Sequence, residues 1–105
     1  MLDDPDNPLA AEIRQETAAA YFAACKKMVA SLEALKAFDH SIRSSTRDSG
    51  QITRRSALFE DAVERVYSVV IQREAMKLFR CEEFFEDYEV PGEVRARLGS
   101  LRQRR

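Results

Sequence analysis

The chain has 105 residues, with 17 Lys plus Arg against 18 Asp plus Glu, one His, two Cys, no Trp, three Gly and three Pro. At this length, with 45% hydrophobic and 33% charged residues, it holds enough apolar material for one core and one domain. So few glycines and prolines exclude a loop-rich or many-stranded fold, a net charge of -1 removes any global pull toward nucleic acid or anionic membrane, and a single histidine leaves little room for metal or acid–base chemistry.

The first residues carry Asp3, Asp4 and Asp6 where a signal peptide has its basic region, and no apolar h-region follows, so a cytoplasmic chain is expected. Nor does any run approach the ~20 apolar residues of a membrane span, since Lys26 and Lys27 break the Ala-rich stretch and Arg65 and Arg73 flank the Val-rich one. Asn7-Pro8 then supplies an N-cap residue followed by proline at the first helical position. Neither Gly nor Pro recurs before Gly50, which predicts helix 1 over about residues 8–40. Its apolar face is Leu9, Ile13, Thr17, Tyr21, Ala24, Met28, Leu35 and Phe38, at helical spacing. Phe22, Cys25, Val29 and Leu32 add a second stripe, wider than one partner helix covers, and form the candidate interface with another chain. His40 at the helix end complements the dipole there.

Residues 41–52 hold the Ser, Thr, Asp and Gly cluster of a hairpin loop. Helix 2 is predicted over about 53–88, with Phe59, Val63, Tyr67, Val70, Glu74, Leu78, Cys81 and Phe85 on one face and Leu58, Ala62, Val66, Val69 and Met76 beside it, because no breaker interrupts that span. Pro91 and Gly92 end it and open a short helix over about 91–98, with Val94 and Leu98 on one side and Gly99 as its C-cap. A basic tail over 100–105 follows. The expected fold is all-α: a long antiparallel helical hairpin plus a short C-terminal helix. In such a hairpin residue i lies near residue 93 minus i, which sets Cys25 far from Cys81 and argues against a disulfide. Helices of about thirty residues run ~45 Å, longer than a domain of this size needs, so pairing of two chains into a four-helix bundle is expected.

Gln72-Arg73-Glu74 is the most informative polar stretch, because three successive polar residues on a helix point three ways and one of them must face the core. The register sets it opposite Thr17 and Tyr21. Glu74, Arg73, Tyr21 and Thr17 therefore make a candidate polar core site: a carboxylate that fixes helix register, or alternatively a small-molecule pocket in the bundle. No cofactor and no metal are implied, since the acids at 82–89 have no histidine at the spacing di-iron bundles use, and no Gly-rich phosphate loop or serine nucleophile motif is present.

Charge is segregated. Residues 81–93 carry six acids and no base, and residues 94–105 carry five arginines and no acid. Arg95, Arg97 and Arg102 are expected to fold back on Glu82, Glu86 or Glu89. A nucleic-acid-associated regulator using this arginine tail is the alternative to a non-enzymatic homodimeric interaction or structural module.

The combination of Pro8-Leu9-Ala10-Ala11-Glu12-Ile13, Leu32-Glu33-Ala34-Leu35-Lys36-Ala37-Phe38-Asp39, Val70-Ile71-Gln72-Arg73-Glu74 and the stretch from Asp87-Tyr88-Glu89-Val90-Pro91-Gly92 to Gly99 resembles a small all-helical bacterial family of unknown function, over about residues 8–99. That resemblance implies no activity. Helical chorismate mutases share the short length and long first helix, but their Leu-Asp and Leu-Leu-x-x-Arg patterning is absent here.

Overall fold

Apolar residues at three- and four-residue spacing give a chain that is helical nearly throughout its described length. The structure, a computed structural model, describes residues 8–42 and 48–103. It holds α1 (Pro8–Ser41), α2 (Ser49–Ala75), α3 (Glu82–Asp87) and α4 (Gly92–Gln103), with no strand among the described residues. α1 and α2 form the long antiparallel hairpin. Tyr21 meets Arg73 and Asp39 meets Arg55, so the register lies within one residue of the sequence expectation.

α1 begins at Pro8, as expected; its predicted cap, Asn7, lies outside the described residues. α2 starts earlier than the sequence reading set it. Asp48 is the N-cap: its Oδ1 accepts from the Gln51 N–H at 2.8 Å, and Gln51 Oε1 accepts from the Asp48 N–H at 3.1 Å, a complete capping box. Gly50 therefore belongs to the first turn of the helix and not to the loop.

Helix 2 does not run to residue 88. It stops at Ala75, where the Lys77 N–H bonds Glu74 O at 2.9 Å, the Leu78 N–H bonds Arg73 O at 2.8 Å, and Lys77 turns left-handed at φ 66°. The same closure recurs after α3, with Val90 N–H on Phe85 O at 2.9 Å and Glu89 at φ 52°. Two non-glycine residues in this region cost about 1 kcal/mol each. The return they permit buries Phe84, Val90, Val94 and Leu98, each contributing about 1.5–3 kcal/mol, so burial outweighs the backbone cost. α4 then runs through Gly99 to Gln103, so Gly99 is a helix-interior residue and not a C-cap, and residues 100–103 are helix and not tail. Arg104 and Arg105 lie outside the described residues.

The core is one cluster built on two faces of α2. α1 contributes Cys25, Met28 and Leu35, α2 contributes Ala62, Val66 and Val69 on one face and Val63 and Val70 on the adjacent one, and Phe84, Val90, Val94 and Leu98 complete the cluster. Ser31 is buried among them, its hydroxyl donating to Lys27 O at 3.0 Å, so it needs no partner from α2. α1 has 34 residues and α2 only 27, and the molecule measures 61 × 26 × 21 Å. The N-terminal third of α1 therefore extends past the end of α2.

Candidate functional site

The two faces of α2 decide where its polar residues go. Arg55 and Arg73 stand seven residues before Ala62 and four after Val69, at the two ends of the stripe that faces α1. Glu60 and Glu74 end the neighbouring stripe, which faces α4.

Arg73, and not Glu74, is the polar residue turned to the hairpin core. Its Nη1 donates to Tyr21 Oη at 3.2 Å, its Nη2 donates to Arg80 O at 3.2 Å, and the guanidinium stacks 4.8 Å over the Phe84 ring. Its Nε is buried with no hydrogen-bond acceptor. Burial raises the Tyr21 hydroxyl above the ordinary tyrosine pKa, with the Arg73 contact pulling the other way. Burial raises Tyr88 likewise. Glu74 instead reaches α4, where Arg102 grips it with two bonds of 3.0 and 2.6 Å. Thr17 is exposed, and its hydroxyl donates to Ile13 O at 2.9 Å within its own helix. Of the four expected site residues the structure thus joins Arg73 to Tyr21 and sets Glu74 and Thr17 elsewhere.

The doubling back of the chain also corrects the placement of Cys81. A helix 2 running straight to residue 88 would set it opposite Glu12, far from Cys25; instead it returns to the Arg73 guanidinium, while Cys25 lies against Tyr21 and Tyr88, so both thiols flank the Tyr21–Arg73 contact. Both thiols are free.

The second stripe of α1 is not uniformly open. Cys25 is buried within the chain, Val29 and Leu32 are half-buried, and Phe22 remains 70% exposed. The arginines of α4 neutralise acids, but other ones than expected: Arg97 pairs with Glu60 at 3.6 Å, Arg102 with Glu74, and Arg95 stacks 5.1 Å over Phe85. The expected partners Glu82, Glu86 and Glu89 form no ion pair among the described residues.

Sequence reasoning missed the best-formed ionic contact. Arg55 Nε and Nη2 bind the two Asp39 oxygens at 2.8 and 3.0 Å, and Nη2 also bonds Glu93, so one guanidinium ties α1, α2 and α4 together. The Arg55 side chain is only 19% exposed, and both carboxylates raise its pKa, the Asp39 bond most. The signal was available in the spacing from Arg55 to Ala62, Val66 and Val69, which puts a cation on a buried stripe.

Among the described residues no group of three His, Cys, Asp or Glu side chains is placed to hold a metal, and no helix is long and apolar enough to cross a membrane. No family model, curated protein or solved structure matches this chain.

Proposed function

We propose that the chain is a non-enzymatic helical interaction module that self-associates through the part of α1 that outruns α2. The observation that carries this reading is the run from Ala11 to Ala20, every residue of which is exposed, between the buried Ala10 and the turns from Cys25 onward that contribute to the core. Ile13, Thr17, Ala24, Met28 and Leu35 follow one another on a single face, and only the members opposite α2 are covered. Ile13 is 41% exposed, and Leu78 and Phe79, at the turn where α2 stops, are 45% and 67% exposed. The missing helix opposite residues 11–20 has a ready substitute in the same segment of a second copy, laid antiparallel about a two-fold axis. Two hairpins joined in this way meet through α1 alone, end to end, in place of the side-by-side four-helix bundle expected from helix length.

Sedimentation velocity and light scattering on the full chain at micromolar concentration test it. The expected species has twice the 12.0 kDa chain mass, and the double substitution Ile13→Glu and Ala20→Glu is expected to weaken association at least about tenfold while leaving the helical circular dichroism intact. A chain that stays at 12.0 kDa throughout overturns the reading.

A further inference from the structure

A second surface, on the far flank of α1, has different chemistry. Between the turns of α1 from Val29 to His40 and the segment from Asp87 to Glu93 lies an open groove of about 830 Å³. The α1 wall spans about three turns, ~17 Å at 1.5 Å per residue. Val29, Leu32, Tyr88 and Pro91 give it an apolar floor. Tyr88 is held in place by its ring contact with Phe84, 5.1 Å between centroids, and by Cys25 beneath it.

The rim is acidic. Glu33 stands on the α1 side, and Asp87 and Glu89 on the other. Asp39 and Glu93 also line the groove and share the single Arg55 guanidinium, which offsets one of their two charges, and among the described residues Lys36 and His40 are the basic side chains along the α1 wall. Glu82, Glu83 and Glu86 of α3 extend the acidic side, exposed and without an ion pair among the described residues. The left-handed turn at Glu89 aims the chain into α4 and leaves this carboxylate on the lip.

An apolar trough about three turns long with unneutralised carboxylates along its edge complements one kind of occupant, a helix with an apolar stripe and lysines or arginines beside it. We infer that this groove docks a cationic amphipathic helix from a partner protein. Its acidic rim disfavours anionic membrane surfaces and nucleic acid by the same electrostatics. The site is separate from the overhang of α1, so its failure leaves self-association standing, and the reverse holds too.

The test uses the full chain and a fluorescein-labelled synthetic peptide of about five turns, with Leu at i, i+3, i+4 and i+7 spacing and Lys at the other positions, read by fluorescence anisotropy. Binding is expected, weakening as salt rises. A peptide of the same composition with scrambled order is expected to bind about tenfold more weakly, and one with Glu in place of every Lys is expected not to bind. Ala37 is exposed and lines the groove, so Ala37→Glu fills the trough without touching the core; it and the rim pair Glu33→Lys with Glu89→Lys are each expected to weaken binding at least about tenfold. Three results overturn the proposal: no binding of the Leu/Lys peptide, equal binding of the scrambled peptide, or affinity unchanged in both variants. If Ala37→Glu instead abolishes self-association of the chain, the occupant is a second copy and the partner helix is ruled out.

Discussion

The two ends of α1 are built from the same alphabet and meet different fates. From Tyr21 to Ser41 the helix faces α2, and Cys25, Met28, Ser31 and Leu35 are buried, as is Ile42 just past its end. From Ala11 to Ala20 the apolar spacing continues and nothing is buried, because α2 turns away at Lys77. Periodicity thus identifies the face a helix offers, and the length of its partner decides whether that face is used.

The largest expected effect separates the two ends directly. Met28 has no exposed surface, and Met28→Ala leaves a cavity between α1 and α2 that costs about 2–5 kcal/mol in urea unfolding. Ile13→Ala is expected to cost less than about 1 kcal/mol at dilute protein concentration, since 41% of its surface is already in water. Any further loss is expected to grow with protein concentration, the mark of a dimer contribution. Comparable losses for both residues under dilute conditions would dissolve the distinction between the covered and the overhanging end.

Arg55 and Arg73 sharpen the same contrast within the covered part, as they mark its limits. Arg55→Ala removes a guanidinium shared by Asp39 and Glu93 and leaves two carboxylates facing each other; a loss of about 1–2 kcal/mol is expected, held down by the exposure of both acids. At the other limit, Tyr21→Phe removes the hydroxyl that accepts from Arg73 and is expected to cost about 1 kcal/mol near neutral pH. Tyr21 titrates above its unfolded value, so its neutral form is favoured by the fold. That contribution is full below about pH 10 and is lost as pH rises through the higher folded pKa. Tyr21→Phe is therefore expected to flatten part of the alkaline decline in stability, with Tyr88 accounting for another part. A decline above pH about 10 that is identical in the variant would show that the Tyr21 hydroxyl is not desolvated.

Much of this architecture was legible in the residues. Pro8 opens α1, the stripe through Met28 and Leu35 is buried, and the hairpin register lies within one residue of expectation. What the sequence did not disclose was the end of α2. Residues 76–81 contain no Gly or Pro, and Lys77 takes a left-handed conformation only because Phe84, Val90, Val94 and Leu98 gain a surface to pack on. That long-range gain is invisible to local pattern. The candidate site shifted for a related reason. Arg73 and Glu74 are neighbours about 100° apart on the helix, and of the two apolar stripes of α2 it is the one through Ala62, Val66 and Val69 that faces α1, so taking the stripe that holds Glu74 as the hairpin face sends the carboxylate to the wrong side.

Glu74 gives the smallest expected effect and the most direct check of that assignment. Its side chain is 29% exposed and its partner Arg102 is 47% exposed, on the last turn of the chain's final helix. A bidentate pair in water contributes little, because solvent screens the charges and two long side chains must be held still. Glu74→Gln keeps the shape and one acceptor oxygen for Arg102, so urea unfolding is expected to shift by no more than about 0.5 kcal/mol, and raised salt is expected to shrink even that. A carboxylate turned into the hairpin core would behave otherwise: its neutralisation would move stability by well over 1 kcal/mol with little response to salt. A small, salt-sensitive shift for Glu74→Gln beside a larger loss for Tyr21→Phe would place the polar contact between the two long helices on Arg73.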